Sequence, residues 1–387
     1  MKNAFKLLKD MDKPLLITTI CFFIFGLLNI VTASSRAAVV NYDVSIYYYF
    51  YRQLAFVFFG VIISLIILKV DTKYYKLFSQ PLFIFAIVLN IWALTFPELS
   101  GSRNWIDLKI IKLQPSELSK PVIIILLAIL FEKYYKKLRT VNIKHYEIIG
   151  RILFLSSVIP AIIVLQKDFG TLLIILTIIF VMFIGSPILR KDKFKTFLIV
   201  FSVICLGVFV VYIKQGYILN EARMSRFTSF LDPCGNYESG GYQVCNGYIA
   251  INDGGFLGLG IGKSKQKYSY IPEPHTDSAF AIIAEEYGII RTFLIFVGYV
   301  IILHRLLSIS AKASSYRGRY ITLGVATYIF AHIFVNLGGM FGVIPLTGVP
   351  LPFLSYGGSF VLSLIISLSL AQRVNIETKN KKIRIKN

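Results

Sequence analysis

Residues 271–288 read IPEPHTDSAFAIIAEEYG. A loop stiffened by Pro272 and Pro274 leads to His275, Thr276 and Asp277, and an apolar helical run follows at once, carrying Glu285 and Glu286. Carboxylates in a membrane span are costly and are kept where they find partners or carry function. The stretch therefore reads as the mouth of a membrane helix with acid chemistry at the water boundary. Asp277 sits near water yet against apolar walls, an environment that tunes a carboxylate toward general-base work. Thr276 or Asp277 equally suits an ordinary helix N-cap. Glu285 lies eight residues on, rotated by about 80° and about 12 Å deeper, whereas Glu286 falls at about 180°, on the opposite face. Glu285 is thus placed to share a cavity with Asp277, and Glu286 needs a partner elsewhere. The plain alternative for both is hydrogen bonding between helices.

The rest of the chain fits a membrane setting. It has 387 residues, 56% of them hydrophobic and 16% charged, with the charges gathered between long apolar runs. That pattern predicts an all-α polytopic membrane protein, one domain over 1–387, with about ten transmembrane helices. The spans are expected near 14–32, 52–69, 80–97, 118–132, 147–165, 169–186, 197–213, 277–303, 320–341 and 350–371, with a large outer loop at 214–276 between spans 7 and 8. The first run is too long for the apolar core of a signal peptide. The net charge of +21 invites a nucleic-acid reading. The positive-inside rule explains it better, because most of the 41 Lys and Arg fall in alternate loops. Both termini are then cytoplasmic, and no nucleic-acid partner is implied.

Three segments on the outer side depart from short polar turns. Residues 101–120, GSRNWIDLKIIKLQPSELSK, carry Arg103, Lys109, Lys112 and Lys120 where the orientation rule wants few cations. Residues 214–276 form a long glycine-rich loop with Arg223, Arg226, Lys263, Lys265 and Lys267. Residues 338–358, GGMFGVIPLTGVPLPFLSYGG, favour broken backbone, which membrane depth tolerates only against protein or a water-filled cavity. A basic, partly re-entrant surface of this kind suits a phosphate-bearing ligand. Arg223 and Arg226 are candidates to grip a pyrophosphate with their planar forks, or are solvated loop charges. Glu117 and Lys120, spaced i,i+3, either pair on a helix or serve a ligand. Trp105 reads as an interface anchor or a ligand contact, and Asn336, costly to bury, needs a helix or ligand partner. The aromatic run Tyr47–Tyr51 reads as interfacial anchoring alone. His275 has no Cys/His cluster around it at zinc spacing. A divalent ion such as Mg or Mn, held by Asp277 and substrate phosphates, stays open. Cys21 and Cys205 read as packing residues within spans, while Cys234 and Cys245 share the outer loop, either bridged or as two free thiols.

GSRNWIDLKIIKLQPSELSK, FLDP, GYQVCNGYIAINDGGFLGLGIG, PEPHTDSAFAIIAEEYG and PLTGVPLPFLSYGG, in that order, together resemble the SEDS family of RodA, FtsW and the sporulation relative SpoVE. Asp12-Lys13-Pro14, VTASS at 31–35, and LDPC with GYQVCNG look more like the FtsW branch. The resemblance implies a peptidoglycan glycosyltransferase that polymerises lipid II outside the bacterial cytoplasmic membrane. It also implies a class B penicillin-binding protein as partner, with other membrane proteins of the division or elongation complex. It assigns the essential acid to Asp277, and maps the Trp and QPSE-x-x-K positions onto Trp105, Gln114, Pro115, Ser116, Glu117 and Lys120. Asn104, Arg291 and Phe360 depart from the family pattern. The rival expectations are a lipid II flippase, which broken helices and intramembrane acids also fit, and a scaffold without chemistry. A flippase needs a polar path to the inner leaflet, whereas the unusual residues here gather on the outer side.

Overall fold

The helix at 316–340 is rich in small residues: Gly318, Gly324, Ala326, Ala331, Gly338 and Gly339. In lipid there is no hydrophobic drive between helices, so close packing at small residues and interhelical hydrogen bonds decide which helix goes inside. The computed structural model describes residues 7–41, 43–99, 101–109, 111–140, 143–215, 228–268, 271–272 and 274–386, and for 41, 143–144, 203–215, 239–240 and 382–386 the backbone alone. Its helices are α1 Lys13–Arg36, α2 Tyr48–Lys69, α3 Tyr75–Ala93, α4 Pro115–Lys133, α5 Ile143–Gln166, α6 Phe169–Gly185, α7 Arg190–Gln215, α8 Tyr242–Gly254, α9 Ala279–Lys312, α10 Tyr316–Met340 and α11 Gly358–Lys386. All but α8 overlap the segments expected as spans. The chain is an all-α polytopic membrane protein with a two-stranded exception: β1 (Ile106–Asp107) pairs antiparallel with β2 (Lys112–Leu113).

Among the described residues seven helices are long and apolar enough to cross a membrane. Helix α6, at 17 residues, is shorter, and every 18-residue stretch of α4 holds at least Glu117, Lys120 and Glu132. Burial separates inside from outside: 78% of the apolar window of α10 and 83% of that of α11 are buried, against 17% for α2, whose Phe58, Phe59 and Ile66 face outward. Helix α11 meets α4 and α2 through serines. Ser359 Oγ accepts from Gln114 N (2.9 Å), Ser363 Oγ donates to the Glu117 carbonyl (2.8 Å), and Ser369 Oγ donates to Ser64 Oγ (2.7 Å). Cys21 departs from its expectation, because it is exposed rather than packed and lines a groove between α1 and α9. The side chain of Cys205 lies outside the described residues.

Several spans begin elsewhere than expected, the seventh at Arg190 rather than 197. The third starts at Tyr75, and its Pro81 is carried inside the helix. The last starts at Gly358 rather than 350. Pro350 and Pro352 lack an N–H and push the residues before them out of the helical region, so 341–357 runs irregularly across the end of the bundle.

Helix α9 is broken at Gly288, where φ is +75°. The freed backbone groups are taken up by the glycine-rich loop after α8. Leu259 N donates to Glu285 O (2.9 Å), Gly260 N to Glu286 O (3.0 Å), and Ile289 N to Gly255 O (2.9 Å). A backbone break at membrane depth survives only with such replacement partners. Gly258 and Gly288 approach so closely that a Cβ on either would collide with the other's backbone.

Candidate functional site

The helix α9 proper begins at Ala279 with Ser278 in the capping position, so Asp277 is not the cap. The turn holding it is tied down from four directions. Asn336 Nδ2, from α10, donates to the Asp277 carbonyl (2.7 Å) and to the Val349 carbonyl (2.8 Å). Tyr356 N donates to His275 O (2.8 Å). The His275 ring packs on Tyr49 from α2, centroids 4.4 Å apart, and on Tyr356 at 5.6 Å. Gln243 Nε2, from α8, donates to Ser278 Oγ (2.9 Å). Thr276 Oγ1 donates to Asp277 Oδ1 (3.3 Å), and Gly348 lies so close that a Cβ there would sit 3.8 Å from Asp277 Oδ2.

Among the described residues Asp277 is thus a half-buried carboxylate beside the neutral polar groups of Thr276, Ser278 and Gln243, with α8, α9, α10 and the 342–357 segment converging on it. Burial pushes its carboxyl above the ordinary carboxylate range, against the lowering by hydrogen bonds from Gln243, Thr276 and nearby backbone. Burial lowers His275 to about 4, so at neutral pH it presents an uncharged ring rather than a cation to any phosphate.

Glu285 does not share a cavity with Asp277 as its helical position suggested. Its carboxylate accepts from Ser264 Oγ (2.5 Å) and from Lys265 N (2.7 Å). Glu286 pairs with Lys267 Nζ at 2.9 Å, both side chains being at most 2% exposed. The two acids clamp the 262–268 loop onto α9, and Lys267 leaves the set of outer cations expected to meet phosphate. Lys263 and Lys265 remain exposed. Arg291 donates to Leu257 O (3.2 Å), in the stretch between α8 and that loop.

Glu117 and Lys120 form an ion pair of 2.5 Å, both essentially inaccessible. Lys120 Nζ also meets His332 Nε2 (2.9 Å), and His332 Nδ1 meets Pro350 O (3.2 Å). Beside this centre Asp168 caps α6 and accepts from Asn104 Nδ2 (2.6 Å) and Gln114 Nε2 (3.0 Å). Asn104, the departure before Trp105, is thereby an anchor for the β1–β2 hairpin, and Trp105 stands half-buried beside it. Cys234 and Cys245 are joined by a disulfide that fastens the segment before α8 to that helix. Arg223 and Arg226 lie outside the described residues.

Sequence reasoning missed Tyr49, Asp168, Gln243 and His332. The residues after Asp168 form an apolar run, the usual signature of a cap, and Tyr49 sits in an aromatic run that reads as an interface belt; Gln243 and His332 carry no local signal. Among the described residues no three His, Cys, Asp or Glu side chains gather to hold a metal. Asp277 alone would suit a hard cation that is completed by ligand phosphates. An apolar groove of about 440 Å³, lined by Ile63, Phe78, Phe85, Leu118, Val122 and Ile366 among others, opens between α2, α3, α4 and α11.

A family model described as "Cell cycle protein" (FTSW_RODA_SPOVE) matches residues 13–380. The "Probable peptidoglycan glycosyltransferase FtsW" of Bacillus subtilis (strain 168) is 34% identical over 388 residues, covering 97% of this chain and 94% of that protein. The "Stage V sporulation protein E" of the same organism is 31% identical, covering 94% and 96%. Among solved structures, one of a peptidoglycan synthase complex matches with a TM-score of 0.74 at 23% identity, covering 94% of this chain and 97% of that chain. The Thermus thermophilus rod shape determining protein RodA matches with a TM-score of 0.65 at 20% identity, covering 94% and 96%. These structural likenesses concern the fold.

Proposed function

The chain belongs to the FtsW/RodA/SpoVE family of cell cycle proteins, and on that premise we propose that it is a peptidoglycan glycosyltransferase of cell division. It polymerises lipid II on the outer face of the bacterial cytoplasmic membrane, in complex with a class B penicillin-binding protein, and both its termini are cytoplasmic. The observation that carries the reading is the environment of Asp277: one carboxylate, raised by burial, held by neutral donors. Of the other acids of the segment, Glu285 and Glu286 are consumed by the loop clamp, and Glu273 lies outside the described residues.

Asp277 is the general base. It takes the proton of the acceptor sugar's 4-hydroxyl as that oxygen forms a bond to the anomeric carbon of the donor. The bond from that carbon to the pyrophosphate oxygen breaks, and undecaprenyl pyrophosphate leaves with the electron pair. Inversion in one displacement needs one base and no enzyme nucleophile, as in inverting glycosidases. Arg223, Arg226 and the exposed Lys263 and Lys265 offset the charge developing on the leaving group. Asp277 is the residue that would hold a divalent cation, which would supply further positive charge to the leaving group. Asn336 and His275 fix the turn that carries the base, and Trp105 borders the acceptor side. Glu117 and Lys120, being fully buried, hold the walls instead of touching sugar. The apolar groove between α2 and α4 suits the polyprenyl tail of one substrate.

The purified protein with its penicillin-binding partner is expected to convert labelled lipid II into glycan ladders. An intact complex that leaves lipid II unpolymerised would overturn the assignment.

A further inference from the structure

Two features of the α10–α11 contact are left unused by the reaction as described. His332 is fully buried on α10. Phe360, which departs from the family pattern, lies against it, the two rings stacked with centroids 4.6 Å apart and planes at 27°. Chemistry sets the direction of both His332 hydrogen bonds. A lysine ammonium only donates, so Nε2 must accept from Lys120 Nζ (2.9 Å). The proton of the neutral ring is then on Nδ1, which donates to the Pro350 carbonyl (3.2 Å). One imidazole, in one tautomer, therefore connects the buried Glu117–Lys120 pair to the 347–350 segment.

That segment is the wall of the Asp277 site. Gly348 approaches the Asp277 carboxylate, and the Val349 carbonyl shares the Asn336 amide with the Asp277 carbonyl. Pro350, next in line, has no N–H, so the hold at this residue is taken at its carbonyl. We propose that His332 is a positioning residue for the transferase reaction. It holds the Pro350 carbonyl, and with it the wall facing Asp277, in register with the Lys120 ammonium, and Phe360 fixes the plane of its ring. The inference rests on the reading of Asp277 as the base, and concerns a residue that does not itself reach substrate.

A glutamine at 332 can reproduce both roles, accepting through its amide oxygen and donating through its amide nitrogen, whereas phenylalanine keeps the ring shape and does neither. The test is steady-state polymerisation of labelled lipid II by the complex with native protein, His332→Phe, His332→Gln and Asp277→Asn. A misplacement of about 1 Å at a reacting group costs up to about 100-fold. His332→Phe is therefore expected to lower kcat about 10- to 100-fold with KM within about twofold, and His332→Gln to recover kcat to within about threefold of native. Native-like kcat in His332→Phe alongside an inactive Asp277→Asn overturns the positioning role and leaves the base assignment standing. An active Asp277→Asn overturns the base assignment itself. Equal losses in the Phe and Gln variants also overturn the proposal, since they show that shape and not the two hydrogen bonds matters. Should His332→Phe fail to fold, His332→Asn replaces it: its shorter amide spans one partner only, and the same loss against Gln is expected.

Discussion

Removing the charge of Lys267 tests whether the acids of α9 act as a clamp. Lys267 Nζ lies 2.9 Å from Glu286 Oε1 and donates to Gly262 O at 2.7 Å, with both charged side chains at most 2% exposed. Lys267→Met keeps the stem and leaves the Glu286 carboxylate buried without its cation. Breaking a buried pair from one side costs about 3–5 kcal/mol, because the remaining charge is uncompensated. Removing both charges together, as Lys267→Met with Glu286→Leu, relieves that penalty. The double variant still loses the bond to Gly262 O, about 1 kcal/mol, so it should be about 2–4 kcal/mol more stable than Lys267→Met alone. The assay is equilibrium unfolding in mixed detergent for the four members of the cycle, with amide exchange of residues 254–268 alongside. The single variant should raise exchange in that loop and the double variant should largely restore protection. Additive losses, with coupling below about 0.5 kcal/mol, would refute the clamp.

Four further outcomes follow from the same geometry. Because burial holds the Asp277 carboxyl above its ordinary value of 3.8, and the base works only when ionised, the polymerisation rate should rise with pH through a pKa above 3.8 and then level off; a rate independent of pH between about 4 and 8 would contradict this. Gly288→Ala, at φ +75° and against the backbone of Gly258, should cost at least about 1–2 kcal/mol in detergent unfolding, whereas Gly150→Ala, with open space at its Cβ, should not. Reduction of Cys234–Cys245, which closes a separation of 11 residues, should destabilise the start of α8 by about 2–3 kcal/mol, read as faster exchange there. Asp12 accepts from Leu15 N as the α1 cap and pairs with Arg305, so Asp12→Ala should lower the melting midpoint by the equivalent of about 1–2 kcal/mol, and Asp12→Asn by less.

Much of the fold was legible because a bilayer leaves few options: long apolar runs must be helices. The irregular backbone at 341–357 was foreshadowed by Gly and Pro density, since such residues cannot sustain a helix, whereas the break at Gly288 falls at a lone glycine inside a span expected whole at 277–303. Local spacing also made the Glu117–Lys120 pair readable, as three residues along a helix is contact distance. Long-range partners were not readable. Glu285 points by periodicity toward the side of Asp277, yet the 262–268 loop folds back and occupies its carboxylate first. Lys267 looks like one more outer cation until that loop buries it. His332 on an apolar helix resembles any core histidine, and only the fold brings Lys120 and Pro350 to its two nitrogens. Tyr49 read as an interface anchor because nothing local shows that His275 comes to lie on it.

The most direct measurement of the central claim is glycan polymerisation from labelled lipid II by the complex carrying native protein or Asp277→Asn. The substitution preserves size and hydrogen bonding while removing the base. Long ladders from the native complex and none from an Asp277→Asn complex with the same unfolding midpoint are the predicted result. Ladders of equal rate and length from both would contradict the account, because the proton of the acceptor hydroxyl would then have to go somewhere other than Asp277.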